Sequence, residues 1–297
     1  MSHPVGPLPP AGLDASLLSW ATEPVVVGSV LAAALYARGW ATLSRRMPER
    51  FGTGRLVAMM AGFATVVLAV SPPLEAEALL LLQAHMTQHL LLMMVAPPLL
   101  WMGAPVAPML LGLPRAIRRW VAVGLASPLG RRIARVLASP AMSGAAFSVA
   151  FWTWHVPALY DLALRSDSWH HVEHACFFAT AMLFWRPVIL PWPGHSPWPR
   201  WAMIPYLVLA DFQNSVLAAI LTFSDRVIYS AYEAVSRSHT MSALEDQAIA
   251  GVIMWVPGSL AFLLPVLWIA ASMATREPGR TVTFAAVPAS KAGGGHR

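Results

Sequence analysis

The chain is divided by apolar stretches about as long as a bilayer is thick. Seven stand out, at residues 24–44, 55–71, 78–102, 140–160, 169–190, 201–223 and 247–272. Each supplies about 17–25 residues, and about 1.5 Å of rise per residue carries such a helix across a hydrocarbon core of about 30 Å. Within a bilayer every backbone polar group must be satisfied internally, so such stretches fold as helices. The expected fold is therefore an all-α, polytopic membrane bundle of seven helices over residues 24–273. Composition agrees. Hydrophobic residues make up 57% and charged residues only 11% of the chain, against about 25% charged in ordinary domains. Mean hydropathy is +0.58. A soluble enzyme, a fibrous protein and a disordered chain are all excluded on these grounds. The single cysteine, Cys176, rules out an intrachain disulfide framework and a cysteine-rich metal site.

The net charge of +6 would suggest nucleic acid in a soluble chain; here its distribution sets topology, and no nucleic-acid partner is expected. With the N-terminus outside, one face of the membrane collects Arg38, Arg45, Arg46, Arg50 and Arg55. It also collects Arg115, Arg118, Arg119, Arg131, Arg132 and Arg135, then Arg186 and Arg200, and the four basic residues of the tail. Only Arg165, Arg226 and Arg237 of the 20 fall on the other face. That asymmetry predicts an N-out, C-in orientation. Residues 1–23 form an outer N-terminal segment with no signal-peptide pattern. The 104–139 stretch, with arginines alternating among apolar residues, reads as amphipathic helices on the inner leaflet, in contact with anionic lipid. The tail, 274–297, reads as disordered, and His195 in the Pro/Trp-rich turn at 191–200 as merely solvated.

Ionisable residues inside spans are expensive and mark function by default. The third span carries His85 and His89, four apart and so on one helix face, with Gln88 beside them. At about 1.5 Å per residue they lie about 12 and 18 Å below Glu77. The fourth span ends in Trp154-His155-Val156-Pro157. The fifth opens with His170, His171, Glu173 and His174, of which His170 and His174 are again four apart. Imidazole is the commonest metal ligand and suits copper, zinc and iron. Met86, Met93 and Met94 add soft thioethers, which favour Cu(I). The alternative for any one histidine is interhelical hydrogen bonding. Clustering on one side of three helices favours metal or haem ligation by His85, His89, His155, His170 and His174. Gln88, Glu173, Asp211 and Asp246 are then candidates to orient those ligands or to rim the site. Asp211, mid-span, could instead accept a proton. Asp246 could instead be an ordinary helix N-terminal acid. Glu75, Glu77, Glu245 and Asp246 would gather cations at the entrance. The run His170–His174 also matches H-x-x-E-H, in which Glu173 would activate a zinc-bound water.

At these residues the chain resembles the CtaG family of bacterial cytochrome c oxidase assembly factors. The resemblance rests on HMTQHLLLMMVAPPLLWMGAP at 85–105, WHVPALYDLAL at 154–164 and HHVEHACFFATAMLFWRPV at 170–188. LTFSDRVIYSAYE at 221–233 and ALEDQAIAGVIMWVPGSLAFL at 243–263 complete it. The family's histidines fall on His85, His89, His155, His170 and His174; His171 is an extra, and Arg186 replaces an aromatic. The resemblance implies a non-enzymatic, multi-pass factor of the bacterial plasma membrane. Its partners would be the subunits of a haem–copper oxidase, and copper its cargo. Rival readings are a haem-binding membrane cytochrome, an H-x-x-E-H metalloprotease and a ligand-free scaffold.

Overall fold

The computed structural model describes residues 23–194, 196, 198–233 and 241–275. The 1–22 segment, His195 and the tail from 276 onward lie outside the described residues. Among those described there are helices and no strand. In chain order they begin with α1 (Pro24–Arg46), α2 (Thr53–Ala69), α3 (Pro72–Ala78) and α4 (Leu82–Leu90). A π-helical turn (Leu91–Val95) leads into α5 (Ala96–Met102). Next come α6 (Val106–Gly112), α7 (Arg115–Ala126), α8 (Pro128–Leu137), α9 (Pro140–Trp154), α10 (Pro157–Leu164) and α11 (Asp167–Ile189). A 3-10 turn (Arg200–Ala202) precedes α12 (Met203–Phe223), another (Ser230–Tyr232) follows it, and α13 (Ala243–Ala274) closes the described chain.

Three of these are long and apolar enough to cross a membrane alone: α1, the Arg200–Phe223 stretch and α13. Three bent pairs raise the number to six if each is one span: α2 with α3 at 46°, Leu82–Met102 with α6 at 74°, and α8 with α9 at 63°. The sequence reading gave seven. The difference lies at α11, whose 23 residues are long enough but include His170, Glu173, His174 and Arg186. Two expected spans also begin or end differently. Ala78 belongs to α3, so the third span starts at Leu82. The fourth stops at Trp154 and resumes at Pro157, because proline has no N–H to continue the ladder and pushes the residue before it away from helix.

The π turn has a similar cause. Pro97 and Pro98 cannot donate to the carbonyls of Met93 and Met94, four residues earlier. The turn widens there, and the indole Nε1 of Trp185 donates to the Met93 carbonyl at 2.8 Å. Helix α4 needs an outside partner too, since Leu81 stands at its N-cap and has no side-chain acceptor. The Asp246 carboxylate, on α13, supplies it. Leu82 N donates to Oδ2 at 2.8 Å and Gln83 N to Oδ1 at 3.1 Å, satisfying orphan donors at the positive end of the helix dipole. Helices α1 and α6 cross backbone against backbone. A Cβ at Gly39 would overlap the Pro108 carbonyl, and one at Gly112 the Leu35 carbonyl, the small-residue packing expected between membrane helices. Helices α7 and α8 bury none of their residues.

Candidate metal centre

Helices α4 and α11 pack so that their histidine faces meet. On α4, His85 and His89 stack edge to face with ring centroids 4.3 Å apart; on α11, His170 and His174 are 4.2 Å apart. Across the interface His85 lies 5.1 Å from His170 and 6.1 Å from His174, and His89 lies 5.5 Å from His174. Every one of these rings is buried. Two sets of ligand atoms gather within 4.8 Å: His85, His170 and His174, and His85, His89 and Glu173. Ligands bonded at about 2.0–2.2 Å to one ion lie at most about 4.4 Å apart, so small side-chain shifts would close either set on an ion.

Glu173 sits at the centre of the cluster. Its Oε2 is 3.6 Å from His85 Nε2 and its Oε1 3.8 Å from His89 Nε2. Both contacts are too long for hydrogen bonds. Both carboxylate oxygens are buried without a partner, as are both ring nitrogens of His85 and of His89 and Nε2 of His170 and His174. Buried polar atoms are nearly always paired. So many donors and acceptors left open at one point fit a site that takes a cation.

His155 comes from a different direction. It caps α9, and its Nδ1 lies 2.6 Å from the Phe151 carbonyl. Its Nε2 is left buried and open, 6.4 Å ring to ring from His89. It belongs to neither set of converging ligand atoms.

The remaining candidates divide. Gln88 does not touch the rings; it donates through Nε2 to the Ala69 carbonyl at 2.8 Å and to Glu75 Oε2 at 2.6 Å. Glu75 in turn lies 3.2 Å from His170 Nδ1, orienting that ring as carboxylates orient metal-bound imidazoles. Asp246 is fully buried at the α4 N-terminus and not at a rim. Asp211 is half-buried with Oδ1 unpartnered and joins neither ligand set. His171 is exposed.

Three tyrosines absent from the sequence reading roof the cluster. Tyr160 lies 5.0 Å from His85 and stacks on Tyr229 at 4.0 Å. Tyr229 donates to the His155 carbonyl at 3.2 Å, and Tyr232 to the Ala78 carbonyl at 2.8 Å. All three lie in stretches that carry the family resemblance, Tyr160 in 154–164 and Tyr229 and Tyr232 in 221–233, but no spacing there ties them to the histidines. Beside this roof a cleft of about 440 Å³ runs from the exposed acids Glu23 and Asp167 past Glu75 to His170 and His174. Of the four acids expected at the entrance only Glu75 lines it. Glu245 closes a capping box with Ser242.

The family profile described as cytochrome c oxidase caa3 assembly factor matches residues 34–276. The chain belongs to this family. Among curated relatives, the uncharacterized protein Mb0105 of Mycobacterium bovis is 27% identical over 280 residues, covering 91% of this chain and 41% of that protein. The uncharacterized protein ML1998 of Mycobacterium leprae is 24% identical over 250 residues, covering 78% and 36%. The chain thus spans about two fifths of the length of the relatives it matches. No solved structure matches it. The matched caa3 assembly factor region contains every histidine of the cluster.

Proposed function

We propose that this chain is a multi-pass, non-enzymatic assembly factor of the bacterial plasma membrane. It holds copper in the His85–His89–Glu173–His170–His174 cluster and passes it to a haem–copper oxidase. Family membership supports the oxidase as partner. The observation that carries the copper reading is the set of buried, unpartnered nitrogen and carboxylate atoms converging from α4 and α11. With the N-out orientation that the basic-residue asymmetry predicts, this end of the bundle faces the outer side. There the cleft edged by Glu23, Glu75 and Asp167 would concentrate cations and admit them to His170. A haem fits less well. The rings of α4 and α11 contact one another directly, and a macrocycle between them would have to force the helices apart. The protease reading gains nothing from the geometry, since Glu173 lies among the ligand atoms and not to one side of them.

Metal analysis and a visible spectrum on one purified sample test the proposal. Bound copper without a Soret band is expected, with copper lost in His85→Ala and His174→Ala. In cells the same changes should cut oxidase activity while the oxidase subunits are still made. Full oxidase activity in the double substitution would make the histidines structural and the chain a scaffold.

A further inference from the structure

A separate cavity of about 20 Å³ shares His89 with the histidine cluster and is also lined by His155. Four methionines line it: Met86 from α4, Met93 and Met94 from the π turn, and Met254 from α13. All four are buried, at 1%, 3%, 8% and 7% exposure. The volume suits a single ion or one water. Methionine usually serves interiors by filling irregular gaps; here four methionines surround a gap that none of them fills.

The backbone holds them in place. The π turn presents Met93 and Met94, and Trp185 fixes the Met93 carbonyl. Asn214, which also lines the cavity, donates to the Met254 carbonyl at 3.0 Å. Two residues of this wall also bring buried, unsatisfied ring nitrogens: His155 through Nε2 and His89 through both Nδ1 and Nε2. Thioethers are soft, uncharged ligands that select Cu(I) over harder ions. Charge points the same way. The cost of moving an ion into a low-dielectric interior rises with the square of its charge, and no carboxylate lines this cavity. A monovalent ion is tolerable there and a divalent one is not. The neighbouring cluster, with Glu173 among its ligand atoms, can offset a second charge.

We propose that this cavity is a second metal site, specific for Cu(I), with Met86, Met93, Met94 and Met254 as ligands and His155 completing the set. It adjoins the histidine cluster through His89, so copper entering at His170 has a soft resting place deeper in the bundle. The inference extends the copper reading, and its test separates the two.

The full chain, purified in detergent and kept reduced, is titrated with Cu(I) against a chromophoric Cu(I) chelator and examined by copper K-edge absorption. Zn(II) is titrated in parallel. The wild type should show sulfur scattering. The Met93→Leu, Met254→Leu double variant, close to volume-conserving, should lose that scattering and roughly one Cu(I) equivalent while Zn(II) binding is unchanged. Glu173→Gln with His85→Ala should do the reverse, losing Zn(II) and keeping sulfur-bound Cu(I). Wild-type Cu(I) bound by nitrogen and oxygen alone overturns the methionine site and leaves the cluster standing. Sulfur-bound Cu(I) in a chain that takes no Zn(II) overturns the cluster and leaves the methionine site. Sulfur scattering that survives in the methionine variant also overturns it. The wild-type spectrum decides by itself should that variant fail to fold.

Discussion

At His155 a carbonyl chooses the tautomer. The Phe151 oxygen 2.6 Å from Nδ1 can only accept, so Nδ1 carries the hydrogen and Nε2 keeps its lone pair for a ligand. Glu75 does similar work at His170, and Gln88 steadies Glu75. Glu75→Ala is therefore expected to weaken metal binding by about 10–100-fold with all the ligands still present, as measured by competition titration. Unchanged affinity would show that His170 needs no partner to hold its orientation, or is no ligand. Glu173→Gln keeps the side chain's shape and removes its charge. It should weaken binding of divalent ions while the amount of inserted protein stays the same, since the residue carries no topology signal. Loss of inserted protein would instead make Glu173 part of the packing.

Helices cross at two kinds of place in this bundle. At Gly39 and Gly112 the backbones of α1 and α6 touch, and an added methyl would meet a carbonyl. Gly39→Ala is expected to cost about 1–3 kcal/mol, read as a lower thermal midpoint by circular dichroism in detergent. Gly28, on the same helix, meets nothing within 4 Å of an added Cβ. Gly28→Ala should be neutral or stabilising by up to about 1 kcal/mol, and equal losses at both glycines would refute the crossing. Helices α7 and α8 approach each other, where a Cβ at Gly130 would meet the Gly124 carbonyl, but bury none of their residues against the bundle. Trp120 is 80% exposed and Leu129 67%, and each helix carries three arginines. That suits the surface of an anionic leaflet. Reversing Arg118, Arg119 and Arg132 to Glu should weaken binding of the isolated 115–137 peptide to anionic vesicles and not to neutral ones.

For the whole molecule the orientation carries the functional reading. A reporter fused after Arg297 should be active only on the cytoplasmic side; activity outside would turn the cluster toward the cytoplasm. Much of this architecture was legible in the sequence, because span length and the i, i+4 spacing of His85 with His89 and of His170 with His174 are local properties. The proline-driven break after Trp154 and the π turn before Pro97 have local signals too, in residues with no N–H to give. Glu173 was legible as a neighbour, since it shares a face with His170 and His174. Its place between His85 and His89 depends on how α4 meets α11, which no single stretch encodes. Asp211 is mid-span and polar and joins neither ligand set. Met254 joins Met86 only through the packing of α13 on α4.

The carboxylate of Asp246 reaches the start of α4 across 164 positions of sequence. In a chain made and inserted from its N-terminus, the helix that bears His85 and His89 therefore lacks its N-terminal partner until α13 has entered the membrane. On the proposed copper reading, metal retention would then wait for α13: a chain holding α4 and α11 but not yet α13 would have its histidines but no firm scaffold to aim them. Chains ending before residue 243 should insert yet fail to retain copper. Supplying 241–275 as a separate polypeptide should restore retention, and should not do so when it carries Asp246→Ala.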